Sequence, residues 1–122
     1  MRMGGMLLAG ALLGLAGPAF AEGACTRPEA PAAVDGATAT MEQLLAAKAA
    51  VTAFMSTSDT YQTCVLNDLE AQRKAAKKNK TTLDPAVAAA ADSNVSANQA
   101  DKEKVGADFN AAARAYKAAH PS

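Results

Sequence analysis

The chain has 122 residues and balances twelve Lys and Arg against twelve Asp and Glu, so no net charge holds it on a polyanion such as nucleic acid. Half of its residues are hydrophobic, but with no Trp, three Phe and two Tyr the buried area per residue must be modest. Two Cys and one His fall short of the four ligands of a tetrahedral zinc site.

The first 21 residues have the layout of a cleaved signal peptide. Arg2 precedes an apolar run from Met6 to Ala16 that is too short to span a bilayer. Gly17 and Pro18 break it, and Ala19-Phe20-Ala21 places small residues where signal peptidase reads them, which predicts cleavage between Ala21 and Glu22 and delivery to the periplasm. A buried core helix would need an amphipathic pattern, whereas this stretch is apolar all round and interrupted by glycines. A lipid anchor on Cys25 is the alternative. It is disfavoured by charged Glu22, three positions before that cysteine, where lipoprotein signals carry an aliphatic residue.

Residues 22–39 hold Pro28, Pro31 and Gly36 among small residues, a composition that resists regular structure and suits an extended strap. In an oxidising compartment Cys25 and Cys64 are expected to form a disulfide that pins this strap to the body. Their wide spacing rules out a thioredoxin-type redox pair. Closing a loop of this length should stabilise the fold by roughly 4 kcal/mol.

Residues 40–122 read as the folded domain. Thr40 with Gln43 three residues on is a capping box, so a helix should start at Met41. Leu44, Ala47, Val51, Phe54, Ser58, Tyr61, Val65 and Leu69 recur in steps of three and four, a single apolar stripe. Hydroxylated and β-branched residues from Ser56 to Thr60 lower helix propensity, but the stripe keeps its phase across them and predicts a continuous helix. Its end is rich in cations, which the backbone dipole favours there, and Asn79 is suited to a left-handed cap.

Asp84 followed by Pro85 is a second helix start, with the helix expected to run to about Ala119. Its stripe is Ala88, Ala91, Val95, Asn98, Lys102, Val105, Phe109, Ala112 and Tyr116. The polar stretch Asp92 to Asn98 and Gly106 make its middle the place where a break would fall. The short connection favours an all-α architecture of two long antiparallel amphipathic helices, a helical hairpin with the strap held by the disulfide. Phe54, Tyr61, Phe109 and Tyr116 are expected on facing stripes as the largest core contacts, which leaves little room for a ligand cleft. Asn98 and Lys102 are read as polar seam residues that set register or face solvent.

Arg73, Lys74, Lys77, Lys78 and Lys80 form the densest charge feature and are the candidate anion-binding residues. A solvated helix end accounts for much of the cluster. His120, two residues from the C-terminus, is poorly placed to hold catalytic geometry. The carboxylates are scattered, and there is no nucleophile motif, glycine-rich phosphate loop or metal-ligand cluster, so neither an enzyme nor a cofactor is expected.

Cys25 with Pro28 and Pro31, Asp35-Gly36, the step from Tyr61 to Cys64, and Phe109-Asn110-Ala111 leading to Ala115-Tyr116-Lys117 together resemble a loose group of small exported proteins of Gram-negative bacteria. The resemblance covers most of the mature chain through short motifs. It implies export and a helical hairpin and carries over no activity. The expected function is a non-enzymatic interaction protein of the cell envelope, an adaptor or chaperone-like protein, partnered by an envelope protein or by a second copy. The alternative is a binder of small apolar or anionic envelope molecules such as lipid or lipopolysaccharide. Nucleic acid is not expected as a partner, and membrane contact would be peripheral.

Overall fold

The computed structural model describes residues 25–121, so the expected signal peptide and its expected cleavage point lie outside the described residues. These residues form two helices, α1 (Met41–Lys78) and α2 (Pro85–Ala119), with no strand among them. At 1.5 Å per residue, the 38 residues of α1 extend about 57 Å.

Local chemistry accounts for each boundary. The Gln43 amide donates to Thr40 Oγ1 at 3.1 Å and the Thr40 amide donates to Gln43 Oε1 at 2.9 Å, so two otherwise orphaned donors are satisfied at the start of α1. Asp84 Oδ1 accepts from the Ala86 amide at 2.9 Å, and Pro85 occupies the first helical position.

The hydroxylated stretch does not break α1. Thr57 Oγ1 donates to the Ala53 carbonyl and Thr60 Oγ1 to the Ser56 carbonyl, each four residues back, so these side chains bond within the helix instead of competing with it. α2 likewise runs unbroken through Asp92 to Asn98 and past Gly106.

At the end of α1 the structure departs from the expected cap. Asn79 is the C-cap with φ −87°, and the left-handed residue is Lys80 behind it, at φ 57°. The physical reason is the hydrogen-bond pattern. The Lys80 amide donates to the Lys77 carbonyl and the Thr81 amide to the Ala76 carbonyl, a Schellman arrangement that demands the left-handed conformation one residue beyond the cap.

The stripes are the buried faces. Phe54, Ser58, Tyr61, Val65 and Leu69 are buried on α1, and Ala91, Asn98, Val105 and Ala112 on α2. A core cluster of Cys25, Tyr61, Val65, Leu69 and Ala91 is flanked by Cys64, Leu83, Val87, Ala88 and Val95. Of the four aromatics expected as the main core contacts, Phe54 and Tyr61 are buried whereas Phe109 and Tyr116 are half-buried. Phe109 packs beside Pro31, Val34, Val51 and Val105, and Tyr116 stacks on His120 with ring centroids 4.1 Å apart. The terminal histidine is thus held against the helix end, its Nδ1 3.0 Å from the Tyr116 carbonyl.

Residues 25–39 carry no regular structure beyond a turn at 36–38. The Cys25–Cys64 disulfide ties their start to α1 with Cα atoms 5.7 Å apart, and Arg27 donates to Asp101 of α2 at 2.7 Å. Gly36 meets the α2 backbone so closely that a Cβ there would lie 1.8 Å from the Ala112 carbonyl oxygen. Only glycine fits that approach.

Candidate functional site

Three features of the described residues carry polar or apolar chemistry that packing does not fully absorb. The first lies between the helices. Asn98 and Ser58 are fully enclosed; Asn98 Nδ2 donates to Ser58 Oγ at 3.1 Å, and Gln62 Nε2 donates to Asn98 Oδ1 at 2.8 Å. Next to this network Lys102 Nζ donates to Asp59. Asn98 and Lys102 are therefore both engaged across the seam, Asn98 in the dry interior and Lys102 with a side chain only 19% exposed. A network whose members satisfy one another specifies register and offers nothing to a ligand.

An open groove beside this seam is lined by Asp59, Thr60, Thr63, Cys64, Asn67 and Asp68. Its two carboxylates are already engaged, Asp59 by Lys102 and Asp68 by Gln72 Nε2 at 2.8 Å. Elsewhere on α2, Lys104 Nζ donates to Asp108 at 2.7 Å, and that hydrogen bond and charge hold the ammonium above its ordinary value. Among the described residues no group of three or more His, Cys, Asp and Glu is placed to hold a metal ion.

The second feature is the connection end. Arg73, Lys74, Lys77, Lys78 and Lys80 are all exposed, and no carboxylate occurs between residues 71 and 83. None of the five is in an ion pair or side-chain hydrogen bond with another described residue, whereas Arg27, Lys102 and Lys104 each have a carboxylate partner. Arg73 and Lys77 border an open groove of about 480 Å³ with Thr81, Thr82, Leu83 and Asp84, while Lys74 and Lys78 lie outside it. The helix dipole accounts for cations in the last turn of α1 but not for Lys80, which lies past its end in a strained backbone conformation.

The third feature is apolar. Met41 and Leu45, one turn apart at the start of α1, are 50% and 56% exposed, and Leu66 farther along is 47% exposed. Sequence reasoning passed over these residues because they stand off the stripe. A list of large apolar residues left outside the three-and-four pattern would have found them. No helix of the described residues is long and apolar enough to cross a membrane.

No family profile, curated protein or solved structure matches this chain.

Proposed function

We propose that this protein is a non-enzymatic interaction protein of the bacterial cell envelope, exported to the periplasm and acting there as an adaptor or chaperone-like scaffold. The observation that carries this reading is the pair Met41 and Leu45, both at least half exposed on one turn of a helix whose other large apolar side chains, Leu66 apart, are folded inward. Exposed apolar side chains grouped on a rigid element are what a protein partner buries on association.

The two helices are read as an antiparallel hairpin. Support comes from the cross-helix neighbours: Val51 shares a crevice with Val105 and Phe109, Ser58 bonds Asn98, and Leu69 packs in one cluster with Ala91. Residues 25–39 are read as a strap over one side of the seam, fixed by the disulfide, by Arg27 on Asp101 and by Gly36 on Ala112. Such a framework holds the start of α1 rigid, because residues 35–40 are folded into a turn and a cap directly before Met41. The disulfide suits an oxidising exported compartment.

The test is photo-crosslinking in intact cells, with the reactive residue placed at Glu42 or Lys48 beside the apolar pair. Repeated adducts with one envelope protein, abolished by Leu45→Ser, are the expected result. Adducts with no protein, or with further copies of this chain alone, would remove the adaptor reading.

A further inference from the structure

The connection between the helices concentrates charge that the fold does not consume. Five of the chain's twelve Lys and Arg fall within residues 73–80, and Glu70 and Asp84 are the nearest carboxylates in sequence on either side. Asp84 is itself engaged in capping the Ala86 amide. Five exposed cations thus share this end with a single carboxylate, Asp84, which none of them bonds.

A second, independent observation comes from the backbone. Lys80 occupies the left-handed position of the Schellman turn, where an L side chain is strained and glycine or asparagine is the ordinary occupant. Asparagine is in the chain one position earlier, at the C-cap, yet the strained position holds a lysine. The local conformation disfavours this residue and the dipole of α1 does not require it, so helix-end chemistry alone does not explain a cation at the tip. Backbone strain held in place at a surface turn points towards a binding role.

We infer that this end of the molecule docks on the headgroup layer of an anionic lipid bilayer, with Arg73, Lys74, Lys77, Lys78 and Lys80 facing the phosphates. Their placement fits a plane of mobile anions better than a folded acidic protein. Arg73, Lys74, Lys77 and Lys78 are three- and four-residue neighbours on one side of α1, and Lys80 sits at the tip beyond them, so the charge forms one broad convex patch rather than the lining of a single groove. Four of the five are lysines, compact charges on flexible stems that follow a fluid phosphate surface, whereas fixed bidentate pairing with a protein carboxylate is arginine chemistry. Of the exposed large apolar residues, Met41 and Leu45 lie at the other end of α1 and Leu66 lies two turns before Arg73, so contact at the tip itself is electrostatic and shallow. Basic clusters of this size bind anionic leaflets with a contribution from each cation, screened by salt. The inference is independent of the adaptor reading, which uses the start of α1.

The test is co-sedimentation of the purified protein, its N-terminus defined by intact mass and its disulfide formed, with vesicles of phosphatidylcholine alone or mixed with phosphatidylglycerol. Partition onto the mixed vesicles at low salt, lost at high salt and absent on the neutral ones, is the expected outcome. Each of Lys74→Gln, Lys77→Gln, Lys78→Gln and Lys80→Gln should lower the partition about fivefold. Lys48→Gln and Lys117→Gln, elsewhere on the helices, should leave it unchanged. All six positions are exposed, and a melting curve for each variant confirms that the fold is retained. Equal partition onto neutral vesicles, or equal losses from the two control variants, would overturn the inference. So would polyglutamate that binds more tightly than the mixed vesicles at the same ionic strength, which would assign the end to an acidic polypeptide.

Discussion

Asn98 and Ser58 face each other across the two helices without solvent contact, joined by a 3.1 Å hydrogen bond from the amide to the hydroxyl. Gln62 completes the arrangement by donating to the other end of the same amide. Because the buried apolar residues of α2 are only alanine and valine, apolar packing on that side alone would tolerate sliding by a turn. A buried amide with a partner at one register does not. Asn98→Ala should leave Ser58 and Gln62 without that partner and cost about 1–3 kcal/mol. Urea unfolding of Asn98→Ala, Ser58→Ala and the double variant would measure it. Additive losses would show that the pair is not coupled.

The two glycines of the folded part should respond oppositely to alanine. At Gly36 the added Cβ would collide with the Ala112 backbone, which cannot move without displacing α2, so Gly36→Ala should destabilise by about 1–3 kcal/mol and loosen residues 25–35. Faster elastase cleavage after Ala32, Ala33 or Val34 would report the loosening. At Gly106 the same Cβ meets only the Met55 methyl at 3.7 Å, an ordinary contact, within a regular helix. Gly106→Ala should therefore stabilise by about 0.5–1 kcal/mol, read as a higher melting temperature.

Removing the disulfide should cost more than either glycine change. The Cys25–Cys64 bridge spans 39 residues of sequence, and opening a loop of that size restores roughly 4 kcal/mol of chain entropy to the unfolded state. The Cys25→Ser/Cys64→Ser double variant should melt well below the parent, and a reductant should lower the parent's melting temperature to match. An unchanged midpoint after verified reduction would mean that Arg27 and Gly36 hold residues 25–39 unaided.

Lys80 should show a conflict between stability and charge. Lys80→Gly relieves the left-handed strain and should raise stability by about 0.5–1 kcal/mol, despite the greater freedom of glycine in the unfolded chain. Calorimetric melting of Lys80→Gly beside Lys78→Gly separates this effect, since the second substitution adds glycine at the end of a regular helix and should destabilise.

Much of the architecture is legible in the amino-acid order because it rests on short-range chemistry. Thr40 with Gln43 and Asp84 with Pro85 mark both helix starts, since a cap and the amides it satisfies lie within four residues. The buried residues of both helices fall on the expected stripes because helical periodicity alone decides which positions share a face. The cysteine pairing was equally open to reading, with two thiols and one way to join them.

What the sequence could not disclose depends on neighbours distant in the chain or on geometry finer than residue type. That Asn98 is dry, with Ser58 as its partner, follows from how the second helix is rotated against the first. That Gly36 is indispensable and Gly106 is not follows from which backbone each one meets. The left-handed turn fell on Lys80 and not on Asn79 because the hydrogen bonds closing α1 end on the Ala76 and Lys77 carbonyls, a count that composition does not reveal. Residue order set the helices and their inward faces through local hydrogen bonding and periodicity; tertiary contact alone decided which polar groups those faces would satisfy and which charges they would leave to solvent.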